Sequence, residues 1–199
     1  MFAIRVGRNA PSTDFVRRLT CLTGIGNPEP QYANTRHNAG LVMLDLLRQR
    51  LDSDGSHSYK VCVNAPAKYC HVSPDLLLIR SDGDYINLSG KTVVPLWKRL
   101  PHRDAVTHIV VHDELSLPLG KVQLRKPGTS LRGHNGLRSL RSHWGSDGFH
   151  RLAIGIGRPH DRDPQVVSDY VLSRFDDREM SILATQSIEK ALEKLQSLL

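Results

Sequence analysis

Residues 18–51 read RLTCLTGIGNPEPQYANTRHNAGLVMLDLLRQRL, and this stretch decides the fold class. Arg18–Thr23 is a short run with the character of a strand, and Gly24-Ile25-Gly26-Asn27-Pro28 punctuates it as a turn. From Asn38 onward Leu41, Leu44, Leu47 and Leu51 recur at helical spacing, with Val42 and Leu46 beside them and a polar opposite face. A strand that turns into an amphipathic helix opens an α/β arrangement.

The alternation continues downstream. Leu76–Ile79 reads as a short buried strand, and Ser89-Gly90 opens a helix carrying Val93, Val94, Trp97 and Leu100. Ile109-Val110-Val111 is β-branched, too short for a helix, and ends at His112-Asp113-Glu114. Val122–Leu124 alternates as a further strand, and Lys126–Gly133 (KPGTSLRG) has the composition of a mobile loop. His134-Asn135-Gly136 leads into a helix with Leu137 and Leu140, and Leu152–Gly157 is a strand ending in a turn. Asp176-x-x-Glu179 is a capping box for a last helix that carries Met180, Leu183, Ile188, Leu192 and Leu195. This order predicts one α/β domain over residues 18–199, with a twisted, mostly parallel or mixed sheet and helices on both faces. In such sheets ligands sit beyond the carboxyl ends of the strands. Asn27, Asp113 and, after a longer turn, Asn87 fall at those ends.

Composition narrows the class. The chain has 199 residues, which suits one domain with a sizeable core. No apolar run approaches the roughly 20 residues of a membrane-spanning helix. Cys21, Cys62 and Cys70 form no CxxC, so the sequence indicates neither a disulfide framework nor a zinc ribbon. The formal net charge is +7, and residues 98–143 hold nine Lys/Arg against three acids. A basic surface attracts polyanions because neutralised phosphates release counterions. Residues 1–17 read as an N-terminal extension rich in Arg, with Asp14 its only acid. That composition fits an organelle presequence and equally an ordinary frayed terminus.

Gly24-Ile25-Gly26 after a strand invites a dinucleotide-binding reading, but Glu29 stands at the third glycine position and Pro28 where the helix should start. No Gly-x-Ser-x-Gly elbow supports a serine nucleophile, no cysteine lies in a nucleophile motif, and the histidines lack the spacing of a His-Glu-x-x-His metal site. His37, just ahead of the first helix, can take a proton near neutral pH. Asp113, at a strand end, is of the type that fixes an imidazole tautomer and stabilises the imidazolium. Taken singly, each is more often a structural residue. Together they form a pair able to activate water. Asn27, Asn87 and Asn135 offer both a donor and an acceptor for a peptide, a base edge or an oxyanion, although Asn beside Gly or Pro is commonly a turn residue.

The segments LTGIGNPEPQYANTRHNAG (22–40), DYINLSG (84–90), HDELSLPLGKVQLR (112–125), RGHNGLRSL (132–140) and RLAIGIGRP (151–159) closely resemble, in order and spacing, the bacterial-type peptidyl-tRNA hydrolase family. The resemblance covers roughly residues 18–175, and its wording is that of fungal, organelle-associated members. It implies hydrolysis, without metal or cofactor, of the ester joining a peptide to the 3′-ribose of tRNA. It implies that His37 is the general base, Asp113 its orienter, and Asn27 the amide beside the scissile ester. It further implies that Asn87 and Asn135 bind the peptide backbone and terminal nucleotides, that Tyr32 lines the cleft, and that Arg125 contacts the tRNA acceptor end. Lys121 and Lys126 are neighbours in that contact. Gln123 and Ala153 stand where the family often has basic residues, so the phosphate grip is expected either to be weaker or to come from Arg132 or Arg158. A monomer is expected, in mitochondria on the strength of the N-terminus, with the cytoplasm as alternative.

Two readings compete with this one. A non-catalytic RNA-binding protein on the same fold would have no reason to keep His37 and Asp113 together. An esterase for small neutral acyl substrates would not need the basic field, and its rate would not fall steeply with salt.

Overall fold

The computed structural model describes residues 18–52 and 54–199, so the N-terminal extension read at 1–17 lies outside the described residues. Its strands are β1 (Thr20–Ile25), β2 (Lys60–Val61), β3 (Lys68–Ser73), β4 (Leu76–Ser81), β5 (Thr107–Glu114), β6 (Val122–Arg125) and β7 (His150–Gly155). Its helices are α1 (Ala39–Leu51), α2 (Ser89–Lys98), α3 (Asn135–Trp144), α4 (Pro164–Leu172), α5 (Asp177–Ile182) and α6 (Ile188–Leu195). The strands form one sheet in the order β2-β3-β4-β1-β5-β7-β6. The central four, β4, β1, β5 and β7, are parallel, while β3 and β6 run antiparallel to them on either side and β2 pairs antiparallel with β3 at the margin.

Alternate residues of each central strand feed opposite cores, as the two-residue period requires. Leu22, Leu78, Ile109, Val111, Leu152 and Ile154 join Met43, Leu44 and Leu47 of α1 and Ile188, Ala191 and Leu195 of α6. Cys21, Leu77, Ile79 and Val110 join Val93, Val94 and Trp97 of α2 and Leu137 and Leu140 of α3. Helices therefore cover both faces, as expected, and each large aliphatic side chain buried there contributes about 1.5–3 kcal/mol.

The first strand starts and ends two residues later than the sequence suggests. Gly24 is a packing residue inside it and not a turn residue: a Cβ there would stand 2.9 Å from the Gly40 carbonyl oxygen. Gly40 makes the same close approach from the other side, where a Cβ would come 2.3 Å from the Val111 oxygen and 2.7 Å from that of Ile25. These two glycines let the start of α1 rest directly on β1 and β5. The capping box forms as predicted, with Asp176 accepting from the Glu179 N–H and Glu179 from the Asp176 N–H, and it starts α5. That helix passes through a wide π turn at Leu183–Ser187 into α6.

Three elements escape the sequence reading: β2, β3 and α4. The helix α4 has a local signal in Asp163-Pro164, since Asp163 accepts from the Gln165 N–H at 2.8 Å and proline occupies the first helical turn. The strands β2 and β3 lie at the sheet margin, where β2 is fully exposed, so no apolar pattern marks them.

Candidate active site

β5 carries Asp113 to the carboxyl edge of the sheet, and the short 3-10 turn Arg36–Asn38 ahead of α1 carries His37 to it. His37 Nδ1 lies 2.9 Å from Asp113 Oδ1. The same oxygen lies 2.9 Å from His134 Nε2, at the start of α3. His134 is also the N-cap of that helix: its Nδ1 accepts from the Leu137 N–H at 3.3 Å. A neutral His134 therefore carries its proton on Nε2 and donates it to Asp113. His37 donates through Nδ1, so Nε2 is left as the lone-pair nitrogen, without a hydrogen-bond partner among the described residues.

Asp113 is only 3% exposed. Burial disfavours its charge, but the two imidazoles and their hydrogen bonds outweigh burial and hold the carboxyl well below its ordinary range. For His37, burial pulls the imidazole down, and the Asp113 charge and hydrogen bond overcome it, raising the group above 6.5. His112, fully enclosed behind His134, goes the other way. Burial and the neighbouring His134 push it down to about 3. The donor atoms of His37, Asp113 and His134 lie within 4.8 Å of one another, as do those of Asp52, Asp54 and His57, so either trio could hold a cation. In the first trio the same atoms are engaged in hydrogen bonds to one another.

A cavity of about 330 Å³ opens over this constellation. His37, Asp113, His134 and Asn135 form its polar floor, Leu131 and Arg132 one wall, and Val167, Val171 and Leu172 of α4 the other. The loop before α3 is tied down rather than loose: buried Arg151 donates to the carbonyls of Ser130 and Thr129, both at 2.9 Å.

Asn27 is buried just past β1 and outside the cavity walls. Its backbone is clamped by Asn38, whose Oδ1 accepts from the Asn27 N–H at 2.8 Å and whose Nδ2 donates to the Asn27 carbonyl at 3.1 Å. The Asn27 Oδ1 accepts from the Ile86 N–H at 2.9 Å, so Nδ2 is the end of the amide that remains to donate. Asn87 and Asn135 are both exposed. Gly136 lets their segments meet, because a Cβ there would stand 2.9 Å from the Ile86 oxygen. Tyr32 is half-buried and packs edge-on to Tyr85 at 6.1 Å, also outside the cavity walls.

Among the basic residues, exposed Arg132 reaches the cavity itself. Lys121 and Lys126 are exposed at the two ends of β6. Arg125 is less free, for its guanidinium lies 3.6 Å from the buried carboxylate of Glu114. Gln123 and Ala153 are cross-strand partners on β6 and β7, so the two departures from the resembled pattern fall at one place. The sequence reading missed His134 and Asn38. Each adjoins a residue it singled out, and their roles appear only when α1, α3 and β5 meet.

A buried carboxylate between two histidines, one of them left with a free nitrogen at a cavity, is a general-base arrangement. The model of the peptidyl-tRNA hydrolase family matches residues 21–199. A Saccharomyces cerevisiae protein named peptidyl-tRNA hydrolase is 52% identical over 171 residues, covering 83% of this chain and 89% of that one. One from Oceanobacillus iheyensis is 36% identical over 179 residues, covering 88% and 90%. The crystal structure of peptidyl-tRNA hydrolase from Acinetobacter baumannii superposes with a TM-score of 0.72 at 30% identity, over 92% of this chain and 91% of that one. With the family model, the relatives and the fold in agreement over most of its length, the chain belongs to the peptidyl-tRNA hydrolase family.

Proposed function

We propose that this chain hydrolyses the ester between a peptide and the 3′-ribose of tRNA with His37 as general base. The observation that carries this reading is the 2.9 Å contact between His37 Nδ1 and buried Asp113, which leaves His37 Nε2 free beside the cavity. Nε2 takes a proton from water as the water oxygen attacks the ester carbonyl. Asp113 stabilises the resulting imidazolium. The Asn27 amide donates to the carbonyl oxygen as its negative charge develops. The tetrahedral intermediate collapses with breakage of the bond to the ribose oxygen, and the imidazolium returns its proton to that oxygen. Free peptide and free tRNA result.

In this reading Asn87 and Asn135 hold the peptide backbone and the terminal nucleotides, and Tyr32 lines their approach. Arg132, Lys121, Lys126 and Arg125 contact acceptor-stem phosphates, with Arg132 nearest the chemistry. The protein acts as a monomer in mitochondria, the Arg-rich start of the chain supporting that location over the cytoplasm. Release of an N-acetylated aminoacyl group from tRNA, in chelator and at two salt concentrations, tests the activity. Hydrolysis that falls steeply with salt is expected. Binding of the tRNA without hydrolysis would favour an RNA-binding role, and salt-independent hydrolysis an esterase for small substrates.

A further inference from the structure

Arg80 lies on β4, 7% exposed and away from the cavity walls, yet its guanidinium joins the loop after β1, which carries Asn27, to α1, which follows the His37 turn. Nη2 donates to Glu29 Oε2 at 2.8 Å, and Nε and Nη2 donate to the Asp45 carboxylate at 3.2 and 3.1 Å. Nη1 donates to Asp82, which also accepts from Lys68 Nζ at 2.7 Å. Three acids thus share two bases. Glu29 sits two residues past Asn27, Asp45 lies on α1, and Asp82 directly follows β4. The Asp82 carbonyl also accepts from the Glu29 N–H at 3.2 Å. The Asn27 loop is therefore held at one end by Asn38 and at the other by the Arg80 cluster.

We propose that Arg80 is a positioning residue for the reaction, setting through Glu29 where the Asn27 amide stands relative to His37. This rests on the reading of Asn27 given above. A guanidinium presents a rigid fork of donors that can satisfy several carboxylates in fixed directions, which an ammonium cannot. Without that fork, Glu29, Asp45 and Asp82 repel one another, and Lys68 offsets the charge of Asp82. Asp45 is fixed on a helix and Asp82 at the end of a central strand, so the loop bearing Glu29 is the part that yields. Small displacements of a polar group at a reacting centre cost rate out of proportion to the stability lost.

The test is a double-mutant cycle between Glu29→Ala and Asn27→Ala, with Arg80→Lys as a second perturbation of the same pair. Glu29 is partly exposed, with its side chain 24% accessible, and belongs to neither core cluster, so its truncation removes no core packing. In the wild-type background both Glu29→Ala and Arg80→Lys are expected to lower kcat roughly tenfold, with KM within about twofold and the pH dependence of kcat unmoved. In the Asn27→Ala background neither is expected to add a further loss. Equal losses in both backgrounds, or no loss of kcat in the wild-type background, would overturn the proposal. Wild-type turnover by Asn27→Ala alone would instead overturn the underlying reading of the amide, and the proposal with it.

Discussion

Asn38 holds Asn27 with both ends of one buried amide, accepting from its N–H at 2.8 Å and donating to its carbonyl at 3.1 Å. The residue after the proposed base thus fixes the residue proposed to polarise the ester, so the two halves of the site are set together. Asn38→Ala strands a buried N–H and a buried carbonyl of Asn27. A loss of about 2–3 kcal/mol in urea unfolding is expected, with a kcat loss that persists at temperatures where the variant is fully folded.

His37 sets the pH dependence. Water activation requires its neutral form, and its pKa lies above 6.5 because the Asp113 carboxylate overcomes the effect of burial. The rate therefore rises with pH along a limb centred above 6.5 and then levels. Asp113→Asn removes the raising influence and leaves burial, so the limb moves to lower pH while the plateau falls by roughly 10²–10⁴. A limb unmoved in Asp113→Asn would mean that another group titrates.

His108 carries an acid sensitivity unrelated to catalysis. It is 5% exposed and packs against Trp97 at 4.3 Å and Trp144 at 5.3 Å between ring centroids. Neither ring nitrogen finds a hydrogen-bond partner among the described residues, and burial pushes the imidazole down to about 4. The unfolded chain takes up this proton near 6.5 and the folded chain resists it. Stability is therefore full above about pH 6.5 and falls as pH drops towards 4, by at most about 3 kcal/mol. His108→Phe should melt at a temperature less dependent on pH between 7 and 4.5 than wild type does. Parallel melting curves for the two proteins would remove His108 from the acid response.

The basic residues separate by their surroundings. Arg132 is exposed at the cavity, so Arg132→Ala should raise KM several-fold at moderate salt, leave stability unchanged and reduce the salt slope by about 1. Arg125 also faces buried Glu114, so Arg125→Ala should raise KM and in addition lower the melting temperature, because it leaves that carboxylate without its cation. An unchanged KM in both variants would remove this face from tRNA binding.

Much of this was legible in the sequence for identifiable reasons. The leucine spacing of α1, the β-branched run of β5 and the Asp176-x-x-Glu179 box each encode their structure within a few residues, and those elements form where predicted. His37 and Asp113 stood out because one stands just ahead of such an element and the other at the end of one. The bond between His134 and Asp113 is not local, and His134 reads as the residue before a helix until α3 docks beside β5. The strands β2 and β3 carry no buried stripe, and Gly24 looks like a turn residue because the helix that presses on it begins fifteen positions later.

The most direct measurement is single-turnover hydrolysis of N-acetylaminoacyl-tRNA by wild type and His37→Ala, with tRNA affinity measured on the same preparations. The rate constant of the variant is expected to fall by roughly 10²–10⁴ while tRNA binding stays nearly unchanged. A variant that turns over near the wild-type rate would show that His37 is not the base.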